Sequence, residues 1–382
     1  MQEGTKQKNL PINVILLLIV LLSSFAVLEL SLRAAGIGED YEEFTYIRHS
    51  LYNPFLIFGP NINKTFKQNN GEIAYFNSQG FRQKDLLPLE KNLDEYRIFA
   101  LGGSTTEDLN NGVNLHYCGE ANKHLENYSF NGKYVNCVNA GKAAYSTAHT
   151  LVRLQFDLLQ FKPDMITVNH NINDLAVNLF PYDDRNNYAN RYLHKKYAVP
   201  YSIKYNFKRF KSLLFINQRL NIIKDNLFSE KIQTEKGIVI TDMQLNPNPT
   251  ELKSKENFRD NLRTIANIGK SQNIIVVFLS QPAIFTDRTM ALSFGSKSYN
   301  NIVLYPEKDE MKLLFEEYND VIKQVAEEED IYFIDMYNLL GHDDKYFIDI
   351  VHFTGEGTIK FGEIYAKHLK DIIELEEVKN GE

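Results

Sequence analysis

The sequence contains no tryptophan, only two cysteines and only nine histidines among its 382 residues. Cys118 and Cys137 do not have metal-site spacing, and the histidines form no ligand cluster, which excludes a structural zinc site. No metal or other cofactor is therefore expected. Tandem repeats and low-complexity tracts are also absent. By contrast, 25 Phe and 22 Tyr within a 43% hydrophobic composition are ample for one large core.

Five short apolar stretches, separated by amphipathic segments, predict the fold. They are rich in β-branched residues and cover 97–101, 134–138, 165–168, 274–279 and 331–334. This alternation predicts a three-layer α/β/α fold in which a central parallel sheet of about five strands is buried by helices on both faces. Ligands of such open sheets bind beyond the carboxyl ends of the strands.

A Gly102-Gly103-Ser104 turn follows the first of these strands. Thr105, Thr106 and Glu107 come next and suit the first turn of a helix. A serine on a strand-to-helix turn presents its hydroxyl at the carboxyl edge of the sheet, beside helix N–H groups that can stabilise an oxyanion. Ser104 is therefore the candidate nucleophile.

The candidate base is His352, with Asp349 three residues before it. A serine needs a base within reach, and that base must itself be oriented by a third group. The spacing lets Asp349 bind one imidazole nitrogen while the other faces Ser104. The candidate oxyanion donors are the Ser104 N–H, the Gly141 N–H and the Asn173 side-chain amide.

Four segments together resemble the SGNH hydrolases, also called the GDSL esterase/lipase family. In chain order they are 102–104, 139–141, 173–174 and 349–352, and the resemblance extends from about residue 97 to the C-terminal helix. It implies a flavodoxin-like fold and an acyl-serine mechanism, and Gly-Gly-Ser-Thr-Thr resembles the membrane-anchored bacterial members. The Gly-Gly-Ser-Thr-Thr opening replaces the family's Gly-Asp-Ser-Leu. Two further positions depart from the family pattern, because Asn171 replaces a glycine of the third segment and Ala144 replaces the glycine that often precedes Tyr-Ser.

Alternative interpretations exist for each segment. Residues 139–141 could be an ordinary strand exit. The glycine turn could bind phosphate, as in a nucleotide-binding flavodoxin-like protein, and the Asn173-Asp174 pair could cap a helix. Asp349 and His352 could be a surface pair near a helix start. The nucleotide-binding alternative leaves Asn173 and the Asp349–His352 pair unexplained, so the order of the four segments favours the triad.

The N-terminus carries a long apolar run over 12–33, long enough to span a bilayer core. Lys6 and Lys8 precede it and four acidic residues follow soon after, so the positive-inside rule predicts a cytoplasmic N-terminus and an extracytoplasmic remainder. A signal peptide cleaved near Ala26 is the alternative. The apolar pattern continues past that site, which favours an uncleaved single-pass anchor. An oxidising compartment would permit Cys118 and Cys137 to pair, but Cys137 lies in a predicted buried strand, so two free thiols are favoured over a disulfide.

An insertion at about 180–262 has an unusual charge. Between 185 and 224 it carries ten Lys or Arg and no Asp or Glu, although the formal net charge of the chain is −7. Either this is a solvated basic face, or it binds anionic envelope glycan or anionic lipid headgroups. Lys204, Lys208 and Lys211 are the candidate substrate-binding residues.

The expected organisation is a cytoplasmic N-terminus (1–11), the anchor (12–33), a stalk and accessory segment (34–96), a catalytic domain (97–375) and a polar tail (376–382). The expected function is an extracytoplasmic serine esterase acting on O-acyl groups, such as acetyl, of an envelope or secreted polysaccharide. An O-acyltransferase using the same triad, a lipid hydrolase and a non-catalytic module for polysaccharide assembly or export are the alternatives. The expected partners are an acylated glycan or other ester and the membrane, not nucleic acid.

Overall fold

The structure is a computed structural model that describes residues 12–35, 52–53, 57–67, 73–111, 115–179, 212, 219, 238–240, 252, 254–294, 302–304, 306 and 308–381. The predicted cytoplasmic segment 1–11 and the side chains of Lys204, Lys208 and Lys211 lie outside the described residues. What was predicted for them stays a prediction.

The α-helices of the described residues are α1 (Ile12–Ala34), α2 (Ser104–Glu107), α3 (Tyr117–Leu125), α4 (Thr147–Arg153), α5 (Ile172–Leu175), α6 (Lys255–Ser271), α7 (Asp287–Phe294), α8 (Lys308–Glu328), α9 (Met336–Leu340) and α10 (Gly355–Gly381). The strands are β1 (Tyr52–Asn53), β2 (Ile57–Phe58), β3 (Lys64–Lys67), β4 (Ile73–Phe76), β5 (Glu95–Gly102), β6 (Ser129–Phe130), β7 (Lys133–Asn139), β8 (Met165–Asn169), β9 (Ile238–Ile240), β10 (Ile275–Leu279), β11 (Ile302–Leu304) and β12 (Tyr332–Ile334).

The chain forms two compact units. The N-terminal unit combines Met1–Arg48 with Val199–Ser229, and the sheet unit combines His49–Ala198 with Glu230–Glu382. The sheet unit therefore begins well before residue 97, the predicted start of the catalytic domain. Helix α1 of the N-terminal unit has 23 residues and is long and apolar enough to cross a membrane, a property it shares with signal sequences.

A six-stranded sheet in the order β12-β10-β8-β5-β7-β6 forms the centre of the sheet unit. The five predicted strands are all present and pair in parallel, whereas the short β6 pairs antiparallel with β7 at one edge. Numbered along the chain, the parallel strands have the spatial order 2-1-3-4-5, which is the flavodoxin-like order. The predicted fold class is confirmed.

Two cores cover the two faces of this sheet because side chains of buried strands alternate between faces. In β5, Phe99 and Leu101 pack on one side with residues of α6 and α8. Ile98 and Ala100 pack on the other side with residues of α3, α9 and α10. These layers fix β5 at the centre of the sheet, so the turn that follows it is firmly supported.

Of the predicted stalk and accessory segment, residues 49–96 belong to the sheet unit and residues 34–48 to the N-terminal unit. Strands β3 and β4 form an antiparallel hairpin, and the following loop buries Phe81 and Leu87 in the same core as Phe99. The Asn61 side chain is fully buried and reaches Glu107 behind the nucleophile turn. The turn signals of this segment did not reveal these distant contacts.

Cys118 and Cys137 form a disulfide, so the expectation of two free thiols is wrong. Helix α3 packs over β7 and places the two Cα atoms 5.6 Å apart. The Asn122 side chain, one turn further along α3, donates to the Cys137 carbonyl and accepts from its N–H, each at 2.8 Å. Cys137 lies in a buried strand, as predicted. The sequence did not show that α3 covers β7 and brings Cys118 next to it, so a free thiol was expected.

Two helices extend across boundaries of the predicted segments. The predicted polar tail from 376 continues helix α10 as far as Gly381, and Lys379 Nζ donates to the Tyr332 hydroxyl of β12 at 2.9 Å. Helix α6 begins at Lys255, before the predicted end of the insertion at 262, and it buries Phe258 and Leu262 in the main core. Both helices are secured by contacts with distant strands and helices.

Candidate active site

The nucleophile turn is built from two glycines between β5 and α2. A Cβ at Gly102 would lie 2.1 Å from Thr106 Oγ1, and a Cβ at Gly103 would lie 2.7 Å from Asn173 Nδ2. Neither position therefore has room for a side chain. Ser104 is the first residue of α2, at the carboxyl end of the central strand, as its position after β5 predicted.

Ser104, His352 and Asp349 lie in one hydrogen-bonded series. Ser104 Oγ is 2.8 Å from His352 Nε2, and His352 Nδ1 is 2.7 Å from Asp349 Oδ2. Because an ionised carboxylate only accepts, Nδ1 donates its proton to Asp349 and leaves Nε2 to accept from the serine hydroxyl. The structure thus brings together the three residues that the sequence proposed as nucleophile, base and orienting acid.

A tight turn holds the acid in place. Asp349 Oδ1 accepts the backbone N–H groups of Val351 at 3.0 Å and His352 at 2.9 Å. The carboxylate is therefore fixed to the backbone of the residue whose ring it orients. The side chains of His352 and Asp349 keep 27% and 21% of their surface exposed, so the pair can be reached from solvent.

The electrostatics of this pair favour a charged imidazole during the reaction. Burial alone would lower the pKa of His352, but the hydrogen bond and charge of Asp349, together with the charge of Asp108, hold that pKa above its ordinary value. Burial would raise the pKa of Asp349, yet the hydrogen bonds from His352 and the backbone keep it below its ordinary value. The site therefore stabilises the imidazolium that forms when a serine proton is taken.

The candidate oxyanion donors occupy different environments. Asn173 lies in α5, and its Nδ2 donates to the Tyr145 carbonyl at 2.8 Å while lying next to Gly103. The Gly141 N–H donates to Asn139 Oδ1 at 3.0 Å. A Cβ at Gly141 would lie 2.4 Å from the Glu107 N, so this glycine allows close packing against α2.

Residues 100–358 match the model of the GDSL-like lipase/acylhydrolase family. The match spans more than half of the chain, from the central strand through the histidine loop to the start of α10. The chain belongs to this family.

Solved structures of other hydrolases resemble this GDSL-like hydrolase at low sequence identity. The lipase/acylhydrolase from Enterococcus faecalis is 17% identical, with a TM-score of 0.41 over 72% of this chain and 95% of that one. A variant of the acetyl xylan esterase from Geobacillus stearothermophilus is 14% identical, with a TM-score of 0.41 over 71% and 93% of the respective chains. An α/β hydrolase from the metagenome of Lake Arreo, Spain, is 14% identical, with a TM-score of 0.40 over 71% and 93%. No curated protein sequence matches the chain.

A buried ion pair supports the nucleophile turn of this GDSL-like hydrolase, and sequence reasoning missed it. The side chains of Glu107 and Lys142 are fully buried and lie 3.3 Å apart. Glu107 also accepts from the Asn61 side chain at 2.9 Å and from the Ala143 N–H at 2.7 Å. The carboxylate thus joins α2 to the loop that follows β7. The available signal was one acidic and one basic residue, each in a strand exit that is otherwise uncharged.

A second network joins the nucleophile turn to the histidine loop. Asp108 has a left-handed backbone with φ of 48°, and its carboxylate accepts from Asn111 at 2.9 Å and Thr358 at 2.8 Å. Asn111 also donates to the carbonyl of Phe353, the residue after His352, at 3.3 Å. Burial raises the pKa of Asp108 to about 6. No local sequence pattern indicated that Asp108 would face the histidine loop.

The remaining acidic side chain of the predicted segments, Asp174, faces inward. It accepts from the Thr147 N–H at 3.1 Å and from the Thr147 hydroxyl at 2.6 Å, and it therefore holds α4 against α5. Within the described residues, no group of three or more His, Cys, Asp or Glu side chains is arranged to hold a metal ion.

Proposed function

We propose that this protein is an extracytoplasmic serine esterase that removes O-acyl groups, such as acetyl, from an envelope or secreted polysaccharide. The observation that carries the proposal is the series from Ser104 through His352 to Asp349, with distances of 2.8 Å and 2.7 Å, in a member of an acylhydrolase family. Those contacts supply the nucleophile, the base and the orienting acid that ester cleavage through an acyl-enzyme needs.

The proposed reaction has two halves. Ser104 Oγ attacks the ester carbonyl while His352 Nε2 takes the hydroxyl proton, and collapse of the tetrahedral intermediate breaks the bond to the alcohol, which leaves with that proton. Water then attacks the acyl-Ser104 ester, again giving its proton to His352, and the acid leaves as Ser104 recovers its hydroxyl. Asp349 holds the imidazole tautomer in both halves.

The developing oxyanion is proposed to bind the Ser104 N–H and the Asn173 amide, with Gly141 as the third donor. Asn173 Nδ2 lies beside Gly103, the residue before Ser104, and this position supports the role of Asn173 as an oxyanion donor. Because the Gly141 N–H donates to Asn139 Oδ1, the Asn139 side chain must turn away before Gly141 can serve. Each such donor contributes a factor of about 10² to 10³ to turnover in serine hydrolases.

The proposed location outside the cytoplasm rests on two features. Helix α1 is preceded by Lys6 and Lys8, which favours a cytoplasmic N-terminus with the remainder on the other side. The Cys118–Cys137 disulfide supports an oxidising compartment, since cytosolic thiols are kept reduced. An esterase anchored there lies beside acylated envelope polysaccharide.

Product analysis tests the proposal. Incubation with an acetylated polysaccharide and with a short acyl ester should release free acid, and Ser104→Ala should abolish release in both cases. If acyl groups instead appear on an added glycan acceptor, the same triad performs transfer. If folded wild-type protein turns over neither substrate, a non-catalytic module in polysaccharide assembly is the better description.

A further inference from the structure

The histidine loop, which carries Asp349 and His352, closes on itself. Phe347 and Phe353 form an antiparallel bridge at its base, and the Ile348 N–H donates to the His352 carbonyl at 2.7 Å. The backbone that leads into Asp349 is therefore bonded to the backbone of the residue that Asp349 orients. The alignment of the carboxylate with the imidazole thus depends on where Phe347 and Ile348 lie.

Arg288, the second residue of α7, binds this backbone from outside the loop. Its Nη1 donates to the Ile348 carbonyl at 2.9 Å, and its Nη2 donates to the Phe347 carbonyl at 3.0 Å. Nε and Nη2 also donate to the Asp344 carboxylate, at 3.0 Å and 2.7 Å. All three guanidinium nitrogens therefore contact the loop. A guanidinium can make these bonds at once because its five N–H groups form a rigid planar fork.

The same helix holds the loop on the other side of Asp349. Ser293 Oγ, also in α7, accepts from the Ile350 N–H at 3.2 Å, and the Ile350 carbonyl accepts from the Ile284 N–H at 2.9 Å. The fully buried Thr289 of α7 donates through its hydroxyl to the Ile284 carbonyl at 2.8 Å. Both neighbours of Asp349 in the chain are thus bonded to α7 or to the segment just before it.

The ion pair between Arg288 and Asp344 does not by itself explain this arrangement. Their side chains keep 43% and 54% of their surface exposed, and ion pairs with that exposure add little to stability. The bonds to the two carbonyls have a different effect, because they fix the direction from which the chain enters Asp349. Loss of Arg288 should therefore leave the core of the sheet unit folded and loosen the histidine loop.

We infer that Arg288 is a positioning residue, which keeps Asp349 aligned with His352 by binding the two backbone carbonyls that precede Asp349. This role rests on the proposed esterase mechanism and assigns to it a residue outside the triad. A displacement of about 1 Å at a reacting group can lower turnover by about 10²-fold. The contribution of Arg288 to kcat should therefore be about 10- to 10²-fold.

Arg288→Ala in the full chain, with a short acyl ester as substrate, tests this role. It should lower kcat by about 10- to 10²-fold, with a smaller effect on KM. Millimolar guanidinium should restore part of the lost kcat because the free ion can bind the same oxygens, whereas methylammonium at the same concentration should not. The matched control is Arg263→Ala on α6, since Arg263 keeps 41% of its side chain exposed and pairs with Glu328 at 2.6 Å. This control should keep the wild-type kcat with and without guanidinium.

The pH profile separates positioning from a direct effect of charge. Although burial alone would lower the pKa of His352, the hydrogen bond and charge of Asp349 and the charge of Asp108 hold that pKa above its ordinary value. A looser Asp349 contact should lower the pKa. Because the base must be neutral, the acidic limb of kcat/KM in Arg288→Ala should then move to lower pH. Loss of a positive charge that acts directly on the imidazole would raise the pKa and move the limb to higher pH.

Hydrogen exchange tests the contact without turnover. In Arg288→Ala, peptides that cover 344–354 should exchange several-fold faster than in the wild type, because the N–H groups of Ile348, Val351 and His352 are bonded within the closed loop. Peptides from β8, in the centre of the sheet, should exchange at the wild-type rate. If the wild type turns over no ester, the esterase proposal fails and the exchange result alone decides whether Arg288 holds the loop.

Four outcomes would overturn the assignment. They are a wild-type kcat in Arg288→Ala, an acidic limb that moves to higher pH, unchanged exchange over 344–354, and faster exchange throughout the sheet unit. The last would give Arg288 a general role in stability. Lower kcat that guanidinium restores, together with faster exchange confined to the loop, would support the positioning role.

Discussion

Ser104 Oγ and His352 Nε2 lie 2.8 Å apart although 248 positions separate the two residues in the chain. The contact forms because β5 carries Ser104 to the carboxyl edge of the sheet, and the loop before α10 returns His352 to the same edge. Asp108 and Asn111 then hydrogen-bond across to Thr358 and Phe353 and hold the two segments together.

Asp349→Asn should lower kcat by about 10⁴-fold, because an amide in place of the carboxylate permits the wrong imidazole tautomer. The fold should persist, since Asn retains an oxygen to accept the N–H groups of Val351 and His352. Steady-state hydrolysis of a short acyl ester, with the melting temperature as a check on folding, measures this. Asp320→Asn on the exposed face of α8 is the control. Wild-type kcat in Asp349→Asn would rule out its orienting role.

Asp108→Asn should shift the acidic limb of the kcat/KM profile to lower pH. The base must be neutral to accept the serine proton, so activity falls as the pH drops through the pKa of His352. Asp108 and Asp349 both raise that pKa, and loss of one negative charge lowers it. A profile from pH 4 to 9 shows the shift, and Asp371→Asn on α10 should leave the profile unchanged. A limb that stays in place or moves to higher pH would contradict this electrostatic role.

Gly103→Ala should reduce kcat by about 10²-fold or more with a smaller effect on KM. The Cβ of the introduced alanine would lie 2.7 Å from Asn173 Nδ2, so the Asn173 side-chain amide must move away from Ser104. The control is Gly355→Ala, whose Cβ would meet Leu115 at an ordinary 3.4 Å. If both variants turn over at the wild-type rate, Asn173 does not act on the oxyanion.

Reduction of the Cys118–Cys137 disulfide should lower the free energy of unfolding by about 3 kcal/mol, given a sequence separation of 19. Thermal unfolding of the full chain in detergent, with and without a strong reductant, measures the change. The double variant Cys118→Ala/Cys137→Ala should unfold at one temperature in both conditions. If complete reduction leaves the wild-type melting temperature unchanged, the disulfide does not contribute to the stability of the fold.

Local sequence patterns predicted most of the sheet. They also predicted that the candidate site lies at its carboxyl edge. Strands such as β5 and β8 are short, apolar and separated by amphipathic helices, so the local sequence alone identifies them as buried parallel strands. Ser104 directly follows β5, so the parallel arrangement places it at the carboxyl edge of the sheet. His352 lies in the loop before α10, and its place at that edge was expected from its order in the chain after Asp349.

Contacts between distant segments were not predictable in this way. The pairing of Cys118 with Cys137 depends on which helix covers β7, and the Glu107–Lys142 ion pair depends on two loops meeting behind α2. The Glu29–Ser212 contact joins residues 183 positions apart. None of these pairs has a periodic signal, because packing alone brings the partners together.

Active-site labelling tests the central claim most directly. A fluorophosphonate probe should form one covalent adduct on folded wild-type protein, located at Ser104 by peptide mass spectrometry. Ser104→Ala should show no adduct, and His352→Ala should label far more slowly because the base is missing. An adduct on another residue, or no adduct on folded wild-type protein, would contradict the proposal that Ser104 is the nucleophile.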